Sequence, residues 1–347
     1  MDYDSLAQKH DSSNMLARID EFLPEFKKAA QIGYGFEPTK EFMNAKRVIG
    51  LGMGGSGMGY TILSTLAKTD GKVPVEVVSD YHLPPYVNAT DAVCVTSFSG
   101  NTEETLSAAE EARALGCPMV CITTGGKLAE WAKQYHISLL QFTYPVAPRV
   151  GLPYTLGIAY GVMLKAHFLP DSDNPKTLID GAVTEVLAHW PVEKMKAETA
   201  EFAQKLVDKM VFVVGSGFSF AVGTRWKGQL NENAKIVAFI EPMPEMCHNM
   251  YLGYKLPLDI VKSSAVIFLD SHFDHPQNRK RVKLVGDEFS AAGALVLNPT
   301  FDQINSKLGL MLAQIIFGDY VSYYLALLNG EDPVEMDRIE NLKKKLI

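Results

Sequence analysis

Residues 92–105 read AVCVTSFSGNTEET, an apolar run followed by a hydroxyl-rich loop and then by helix-forming residues. The run Ala92–Thr96 predicts a short buried strand, and Glu103–Leu115 predicts a helix. The loop between them carries three hydroxyl groups, those of Ser97, Ser99 and Thr102. Because unpaired N–H groups point outward at a helix N-terminus, this loop can bind an anion without any cation of its own. The simpler alternative is that Thr102 is an ordinary N-cap.

Length and charge limit the possible functions. The chain has 347 residues, enough for two domains, and its hydrophobic content of 47% supports full cores. The net charge is −7 and the one basic run, Lys343–Lys345, stands at the extreme end. We therefore expect no nucleic-acid partner. The acidic start, Met1–Asp4, does not resemble a signal peptide, and no apolar stretch is read as a membrane span, so we expect a cytoplasmic protein that binds no membrane.

Cysteines and histidines show no metal-binding or redox pattern. The spacings of the four cysteines fit neither a zinc ribbon nor a CxxC pair, so buried reduced thiols are expected. His272 and His275 are close in sequence, but they stand on a polar turn with no obvious third ligand. No metal is predicted.

Strand-like and helix-like segments alternate from residue 46 onward, which predicts βαβ units and parallel sheets. Strands are predicted at 46–51, 74–79, 92–96, 119–123 and 137–142, with helices at 60–69, 103–115 and 126–134. Residues 1–45 are predicted to be helical, with apolar positions at Leu16, Ile19, Leu23 and Phe26.

The pattern then restarts. Residues 211–217 echo 47–52, and 265–270 echo 92–97, at similar offsets, which indicates an internal duplication. The predicted fold is α/β, with two doubly wound parallel-sheet lobes and helices at both ends. The predicted parts are an N-terminal helical segment (1–45), a phosphate-binding domain (46–170), a linker (171–200), a second domain (201–331) and a C-terminal helix (332–347). Asp270 stands in the second copy where the first has Ser97, so only the first lobe is expected to bind an anion in this way.

A glycine turn, Gly52-Met53-Gly54-Gly55-Ser56-Gly57, follows the first predicted strand. It matches the G-x-G-x-x-G pattern of dinucleotide-binding folds, and Asp80 ends the next strand, where such folds keep a ribose-binding acid. An NAD-dependent oxidoreductase is therefore a real alternative. The Ser56 hydroxyl and the second hydroxyl loop at 97–102 favour a small phosphate ester instead.

These motifs together resemble the sugar isomerase (SIS) fold, and within it the bifunctional phosphoglucose/phosphomannose isomerases. The matching segments are LGMGGSG at 51–57, SFSGNT at 97–102, ITTGGK at 122–127, APR at 147–149, NENAK at 231–235, PEMCHN at 244–249 and RIENLK at 338–343. The resemblance spans roughly residues 46–347. It implies two SIS lobes, a homodimer, a phosphorylated hexose as substrate, and no metal or organic cofactor.

The resemblance also implies roles for individual residues. The phosphate would be bound by Gly54, Gly55, Ser56, Ser97, Ser99 and Thr102. Arg149 would stabilise an enediolate near C1 and C2, and Glu232 would be the base. His248, supplied by the partner subunit, would open the sugar ring, and Lys343 would reach the ring-opening side.

The chemistry agrees with these roles. Moving a proton between C1 and C2 of a sugar phosphate needs a carboxylate that acts as base and then as acid. It also needs a cation or donor where the enediolate charge develops, and a group of near-neutral pKa to open the hemiacetal. Glu245 is the next candidate if Glu232 is a surface carboxylate.

The segment before the C-terminal helix departs from the family pattern. Dual-specificity members of the family carry Thr-Pro there, and this chain has Met336-Asp337. Either Met336 packs on the core without effect, or it narrows the space beside C2 and favours one epimer. The activity expected is the interconversion of fructose 6-phosphate with glucose 6-phosphate, mannose 6-phosphate, or both. A non-catalytic phosphosugar-binding regulator is the alternative from another class, but the acidic N-terminus supplies no basic DNA-binding arm.

Overall fold

The computed structural model of the chain describes residues 1–144, 148–170 and 174–346. These fall into two compact units. Glu21–Val183 forms the first lobe, and Thr184–Ile347 forms the second lobe together with Met1–Asp20. The predicted N-terminal segment, 1–45, is therefore not one unit, because its first part belongs to the second lobe and its remainder to the first.

The N-terminal region is helical, as predicted. Its helices are α1 (Tyr3–His10), α2 (Met15–Asp20), α3 (Phe22–Tyr34) and α4 (Lys40–Met43). Of the four predicted apolar positions, Ile19, Leu23 and Phe26 are buried and Leu16 is partly buried. Asp11 begins the turn between α1 and α2, and its carboxylate accepts the Met15 N–H at 2.7 Å, which satisfies one of the first donors of α2.

The first lobe is a parallel sheet with helices between its strands. Its elements are β1 (Arg47–Leu51), α5 (Gly55–Asp70), β2 (Val75–Val78), β3 (Asp91–Ser97), α6 (Glu103–Ala114), β4 (Met119–Thr123), α7 (Gly126–Gln134), β5 (Ser138–Gln141) and α8 (Leu152–Lys165). The five strands lie in the order β2-β1-β3-β4-β5, and every pair is parallel. The predicted alternation of strands and helices is confirmed.

Helices α3 and α8 pack with their backbones almost in contact. A Cβ on Gly33 would lie 2.0 Å from the Ile158 carbonyl oxygen, and one on Gly161 would lie 2.2 Å from that of Ala30. Only glycine fits at such a distance, so these positions fix how closely the two helices approach.

The second lobe repeats this arrangement with four strands. The chain continues as α9 (Pro175–His189), which crosses the boundary between the lobes, and then as α10 (Val192–Gln204), β6 (Met210–Gly215), α11 (Gly217–Glu232), β7 (Ala238–Pro242), α12 (Met250–Gly253), α13 (Leu258–Lys262), β8 (Ser264–Leu269), α14 (Pro276–Ala291), β9 (Leu295–Leu297), α15 (Lys307–Leu328) and α16 (Asp337–Leu346). The order β7-β6-β8-β9 corresponds to β2-β1-β3-β4, and all pairs are parallel.

The duplication extends to the register of the strands. Val48 on β1 pairs with Ala92 on β3, and Val211 on β6 pairs with Ala265 on β8. These are the residues that the two sequence echoes align with each other. The same positions therefore face each other in both sheets, as two copies of one ancestral unit would require.

The predicted linker is mostly helical. Helices α9 and α10 occupy most of residues 171–200, so this stretch is not an extended connection. Its prolines mark helix starts, because Pro175 is the first residue of α9 and Pro191 is the N-cap of α10.

Within the described residues, one helix is long and apolar enough to cross a membrane, contrary to the expectation that no such stretch exists. This helix is α15, and its apolar window is wholly buried inside the second lobe. It also carries Asp319, which forms a buried two-point ion pair with Arg225 on α11, at 2.9 and 2.7 Å. Length and burial together identify α15 as the central core helix of this lobe.

Candidate active site

The two predicted phosphate loops follow neighbouring strands of the first-lobe sheet. β1 ends at Leu51, just before the glycine turn, and β3 ends at Ser97, in the hydroxyl loop. In the order β2-β1-β3-β4-β5 the chain changes direction between these two strands. Open α/β sheets bind ligands in the crevice at the carboxyl ends of strands at such a point. This strand order also differs from the 3-2-1-4-5-6 order typical of dinucleotide-binding sheets, which weakens the NAD alternative.

The glycine turn leaves open space at the start of α5. Gly54 has φ +51° and ψ −124°, a conformation that glycine alone adopts readily. A Cβ there would meet no atom within 4 Å. α5 begins at the next residue, and in its first turn the N–H groups of Ser56 and Gly57 donate to the carbonyls of Met53 and Gly54, at 3.0 and 3.1 Å. A ligand anion beside Gly54 would accept from the N–H groups at the very start of the helix.

Ser56 connects the two loops. Its hydroxyl oxygen accepts the Phe98 N–H at 3.1 Å, and the side chain is almost fully buried. A hydroxyl that accepts in this way still has its own proton to donate. Ser56 can therefore bind a phosphate oxygen while it holds the hydroxyl loop against the glycine turn.

The hydroxyls of the 97–102 loop differ in their environment. Ser97 is 0% exposed, and its oxygen lies 3.0 Å from that of Thr102 and accepts the Gly100 N–H at 3.1 Å. Thr102 is the N-cap residue of α6, as the simpler alternative proposed, but its side chain makes no capping bond. Ser99 is exposed. The structure thus leaves Ser99 and the half-buried Thr102 accessible, while Ser97 maintains the shape of the loop.

The sequence analysis matched ITTGGK at 122–127 to the family but gave these residues no role, and they support the hydroxyl loop from behind. A Cβ on Gly100 would lie 1.9 Å from the Gly125 carbonyl oxygen, and one on Gly126 would lie 2.4 Å from that of Ser99. The Thr124 hydroxyl donates to the Phe98 carbonyl at 2.7 Å. The paired glycines after β4 were the available signal, since two successive glycines at a strand end indicate a close approach of backbones.

Arg149 lies in a turn that contacts the hydroxyl loop. This 3₁₀ turn, Pro148–Gly151, stands directly before α8; the side chain of Arg149 lies outside the described part of the chain. A Cβ on Gly151 would lie 2.5 Å from the Phe98 ring. The Tyr144 ring packs edge-on against Phe98, and its hydroxyl donates to a carbonyl of the turn at 3.3 Å. The backbone at Arg149 is therefore held close to the phosphate loop.

In the second lobe, a carboxyl group of the chain fills the place that corresponds to the open space beside Gly54. Gly217 follows β6 as Gly54 follows β1, and its φ of +53° is nearly the same. A Cβ on Gly217 would lie 3.3 Å from the Asp274 carboxylate oxygen Oδ1. The Ser216 hydroxyl hydrogen-bonds this carboxyl group. An anion thus occupies the second-lobe counterpart of the open space beside Gly54.

The electrostatics at this internal anion are unfavourable to a second, external one. Burial, and to a smaller extent the nearby Asp270, raise the pKa of Asp274 to about 6. Asp270 itself follows β8, where the sequence placed it, and pairs with Arg279 at 3.4 Å. Two carboxylates at this edge disfavour a phosphate.

Glu232 is the last residue of α11. Since β6 and β7 are parallel neighbours, α11 must return from the carboxyl end of β6 to the amino end of β7. Glu232 therefore lies at the amino edge of the second-lobe sheet, and its side chain is half-buried. The next residue, Asn233, is fully buried, and its amide donates to the Ser322 hydroxyl on α15 at 3.0 Å.

The segment before α16 shares this edge with Glu232. The Lys235 ammonium donates to the carbonyls of Glu232 and Glu335, at 2.8 and 3.1 Å. Met336 follows directly and is half-buried. The side chain of Lys343 lies outside the described part of the chain, although the helix that carries it begins here. The structure thus brings Glu232 and the Met336 segment together.

His248 lies at the opposite edge of the same sheet. It ends a 3₁₀ turn, Glu245–His248, that comes after the carboxyl end of β7, and its side chain is exposed. β7 is five residues long, which corresponds to about 16 Å between the levels of Glu232 and His248. The two residues thus lie at opposite edges of the second-lobe sheet.

The histidines and cysteines of the described residues form no metal centre, since no group of three His, Cys, Asp or Glu side chains among them is placed to hold an ion. His275 instead caps α14, where its Nδ1 accepts the Gln277 N–H at 3.2 Å. Cys94 and Cys121 are free and buried, and burial raises the pKa of each to about 12.

Comparison with known proteins gives a consistent group of relatives. The bifunctional phosphoglucose/phosphomannose isomerase of Caldicellulosiruptor bescii is 33% identical over 330 residues, which cover 93% of this chain and 96% of the relative. The protein of the same name from Aquifex aeolicus is 32% identical over 312 residues, with coverage of 89% and 92%. The family model described as "Bacterial phospho-glucose isomerase C-terminal SIS domain" matches residues 195–346.

Among solved structures, the chain resembles the C-terminal domain of glucosamine-fructose-6-phosphate aminotransferase from Francisella tularensis. The TM-score is 0.74 at 16% sequence identity, over 92% of this chain and 96% of that one. At this identity the likeness concerns the fold alone, and it confirms the two-lobed SIS architecture.

Proposed function

Because the chain belongs to the bifunctional phosphoglucose/phosphomannose isomerase family and is therefore a sugar-phosphate isomerase, we propose that it interconverts fructose 6-phosphate with glucose 6-phosphate, mannose 6-phosphate, or both. The reaction would take place in the cytoplasm. It moves one hydrogen between C1 and C2 of the open-chain sugar, through an enediolate.

The comparison of Gly54 with Gly217 carries the phosphate part of this proposal. One helix start faces open space, and its duplicate faces a carboxylate. An acidic side chain therefore fills this place in the second lobe, whereas in the first lobe the place is open to a phosphate group of a ligand at the helix N-terminus. Ser56, Ser99 and Thr102 would bind it with neutral hydrogen bonds, each worth about 1.5–3 kcal/mol to a charged group.

Glu232 is proposed as the base. Its carboxylate would take the C2 proton of the aldose and return it to C1 of the enediolate, so that aldehyde and ketone exchange places without net transfer to solvent. Arg149 would stabilise the negative charge that develops on O1 and O2. Its place in a turn packed on Phe98 of the phosphate loop supports this role.

Ring opening is proposed to use His248 of the partner subunit, in a homodimer. The imidazole would take the proton of the O1 hydroxyl and deliver one to the ring oxygen. Two observations support a contribution from another subunit. His248 is exposed at the edge opposite Glu232, and the segment that follows it exposes Leu252 and Leu256, each 74% accessible. Lys343 is proposed to assist from α16.

The test is an isomerase assay with the purified full chain in EDTA, in which fructose 6-phosphate is measured from glucose 6-phosphate and from mannose 6-phosphate. If neither aldose phosphate is converted to fructose 6-phosphate, the proposal is contradicted. Glu232→Gln keeps the shape of the side chain and removes the base, so kcat should fall about 10²–10⁴-fold. A matching loss in Glu245→Gln, with Glu232→Gln active, would move the base to Glu245.

A further inference from the structure

The end of α11 is fixed by a lysine to which neither the reaction chemistry nor the relatives assign a role. We propose that Lys235 is a positioning residue, which holds Glu232 in register with the segment that carries Met336 and starts α16. The catalytic role of Glu232 rests on the proposed function, whereas the link between the two segments does not.

The Lys235 ammonium hydrogen-bonds to four backbone carbonyls, three of them at short distances. Nζ donates to the carbonyl oxygens of Glu232 at 2.8 Å, Asp332 at 2.9 Å and Glu335 at 3.1 Å, and more weakly to that of Asn233 at 3.5 Å. An ammonium group has three donors, so these short contacts satisfy it. The Glu335 carboxylate is farther away, at 4.0 Å. The shortest hydrogen bonds of Lys235 are thus made to backbone carbonyls and not to this acidic side chain.

The backbone of Lys235 indicates that this side chain is needed. Its φ is +57°, in the left-handed region that helix ends usually give to glycine or asparagine. A lysine there is strained relative to glycine, because its Cβ crowds the backbone in this region. Glycine would relieve this strain but would lose the ammonium group. The position keeps a strained residue whose side chain joins two segments, which is the pattern expected at a functional site.

Neighbouring contacts make the link rigid. The Asn329 amide donates to the Ala234 carbonyl at 2.9 Å, and Asn233 is held inside the lobe by Ser322. The positive charge also lies at the C-terminal end of α11, where the helix dipole favours it. The backbone that follows Glu232 is therefore held in place by the contacts of Asn233, Ala234 and Lys235. Such support matters because a displacement of about 1 Å can reduce the rate of a catalysed reaction about 100-fold.

The experiment compares Lys235→Met, Lys235→Gly and Lys235→Arg in the full chain, with Lys227→Met on the same helix as the matched control. We expect kcat to fall about 10–100-fold in the Met and Gly variants, with KM for fructose 6-phosphate within about twofold of wild type, since the phosphate loops belong to the other lobe. Lys235→Arg should recover part of the loss. The primary isotope effect on kcat with C2-deuterated glucose 6-phosphate should rise in the Met and Gly variants, because misplacing the base slows the proton transfer specifically.

Hydrogen exchange gives a readout that does not need activity. In Lys235→Met and Lys235→Gly, amides of residues 332–346 should exchange faster, whereas those of α14 should not change. If the wild type is active and these variants keep its kcat and isotope effect, the positioning role is wrong. If the wild type shows no isomerase activity, the proposed function fails, and unchanged exchange at 332–346 would then overturn the link itself.

Discussion

Protomers with Glu232→Gln and protomers with His248→Ala should complement each other when mixed. The two side chains lie at opposite edges of the second-lobe sheet, about 16 Å apart along the direction of β7. Each active site would therefore combine Glu232 of one chain with His248 of the other. A mixed dimer has one site in which both residues are intact and one in which both are altered.

The expected recovery follows from counting sites. After random exchange of equal amounts, about half of the dimers are mixed, and half of their sites are intact, so about a quarter of wild-type activity should return. The assay is fructose 6-phosphate formation after mild denaturation and refolding of the mixture, with subunit exchange verified by mass-tagged protomers. The matched control mixes Glu232→Gln with the double variant Glu232→Gln/His248→Ala, which can form no intact site.

A mixture that exchanges subunits but stays inactive would refute this reasoning. It would mean that Glu232 and His248 of the same chain act together in one site. Recovery equal to that of the control mixture would lead to the same conclusion.

Three further perturbations test other parts of the site. Ser99→Ala should raise the KM for the sugar phosphate about 10-fold or more through loss of a hydrogen bond to a charged group. Ser97→Ala should mainly lower the melting temperature, because Ser97 is buried. Steady-state kinetics and thermal unfolding of both variants test this, and equal KM values for the two variants would contradict it. The wild type should differ tenfold or more in kcat/KM between glucose 6-phosphate and mannose 6-phosphate, and Met336→Thr should reduce this difference. The reason is that a change of one or two methylenes in the substrate pocket is worth roughly 1–3 kcal/mol. Equal kcat/KM values in the wild type would show that Met336 does not select the epimer. Asp274→Asn should stabilise the protein increasingly as the pH rises from 4 to 6. The pKa of Asp274 in the folded state is raised from 3.8 to about 6, so the wild type loses stability as this carboxyl group ionises, up to about 3 kcal/mol at 1.36 kcal/mol per pH unit. Urea unfolding of both proteins across this pH range tests this, and a difference in stability that does not vary with pH would refute it.

Much of the fold follows from hydrophobic periodicity, but helix starts do not. α5 was predicted from Tyr60, and it begins at Gly55. Glycine-rich turns have poor intrinsic helix propensity, so the pattern carries no helical signal there. Tertiary contact supplies it instead, because a Cβ on Gly57 would lie 2.5 Å from the Gly52 carbonyl oxygen. The turn is helical because it packs against the end of β1.

The candidate site shows the same division between local pattern and tertiary contact. The hydroxyls of Ser97 and Thr102 can be found from their spacing after a strand. Their mutual contact at 3.0 Å, which turns one of them inward, depends on how the loop closes on Thr124 and its neighbouring glycines. Lys235 was part of a recognised motif, yet two of its four carbonyl partners belong to a segment almost a hundred residues away in the chain, which no local pattern encodes.

The contrast between Gly54 and Gly217 has a consequence for how long the protein survives in the cell. In the second lobe the Asp274 carboxyl group fills the place at the start of α11, so the resistance of that lobe to local opening does not depend on metabolites. In the first lobe a ligand must fill the corresponding place, and ligand at 100 times its dissociation constant would stabilise the folded lobe by about 2.7 kcal/mol. When hexose phosphate is scarce, we expect the first lobe to open more often and to be cut first by proteases. The abundance of the enzyme would then follow the supply of its substrate without any dedicated regulator.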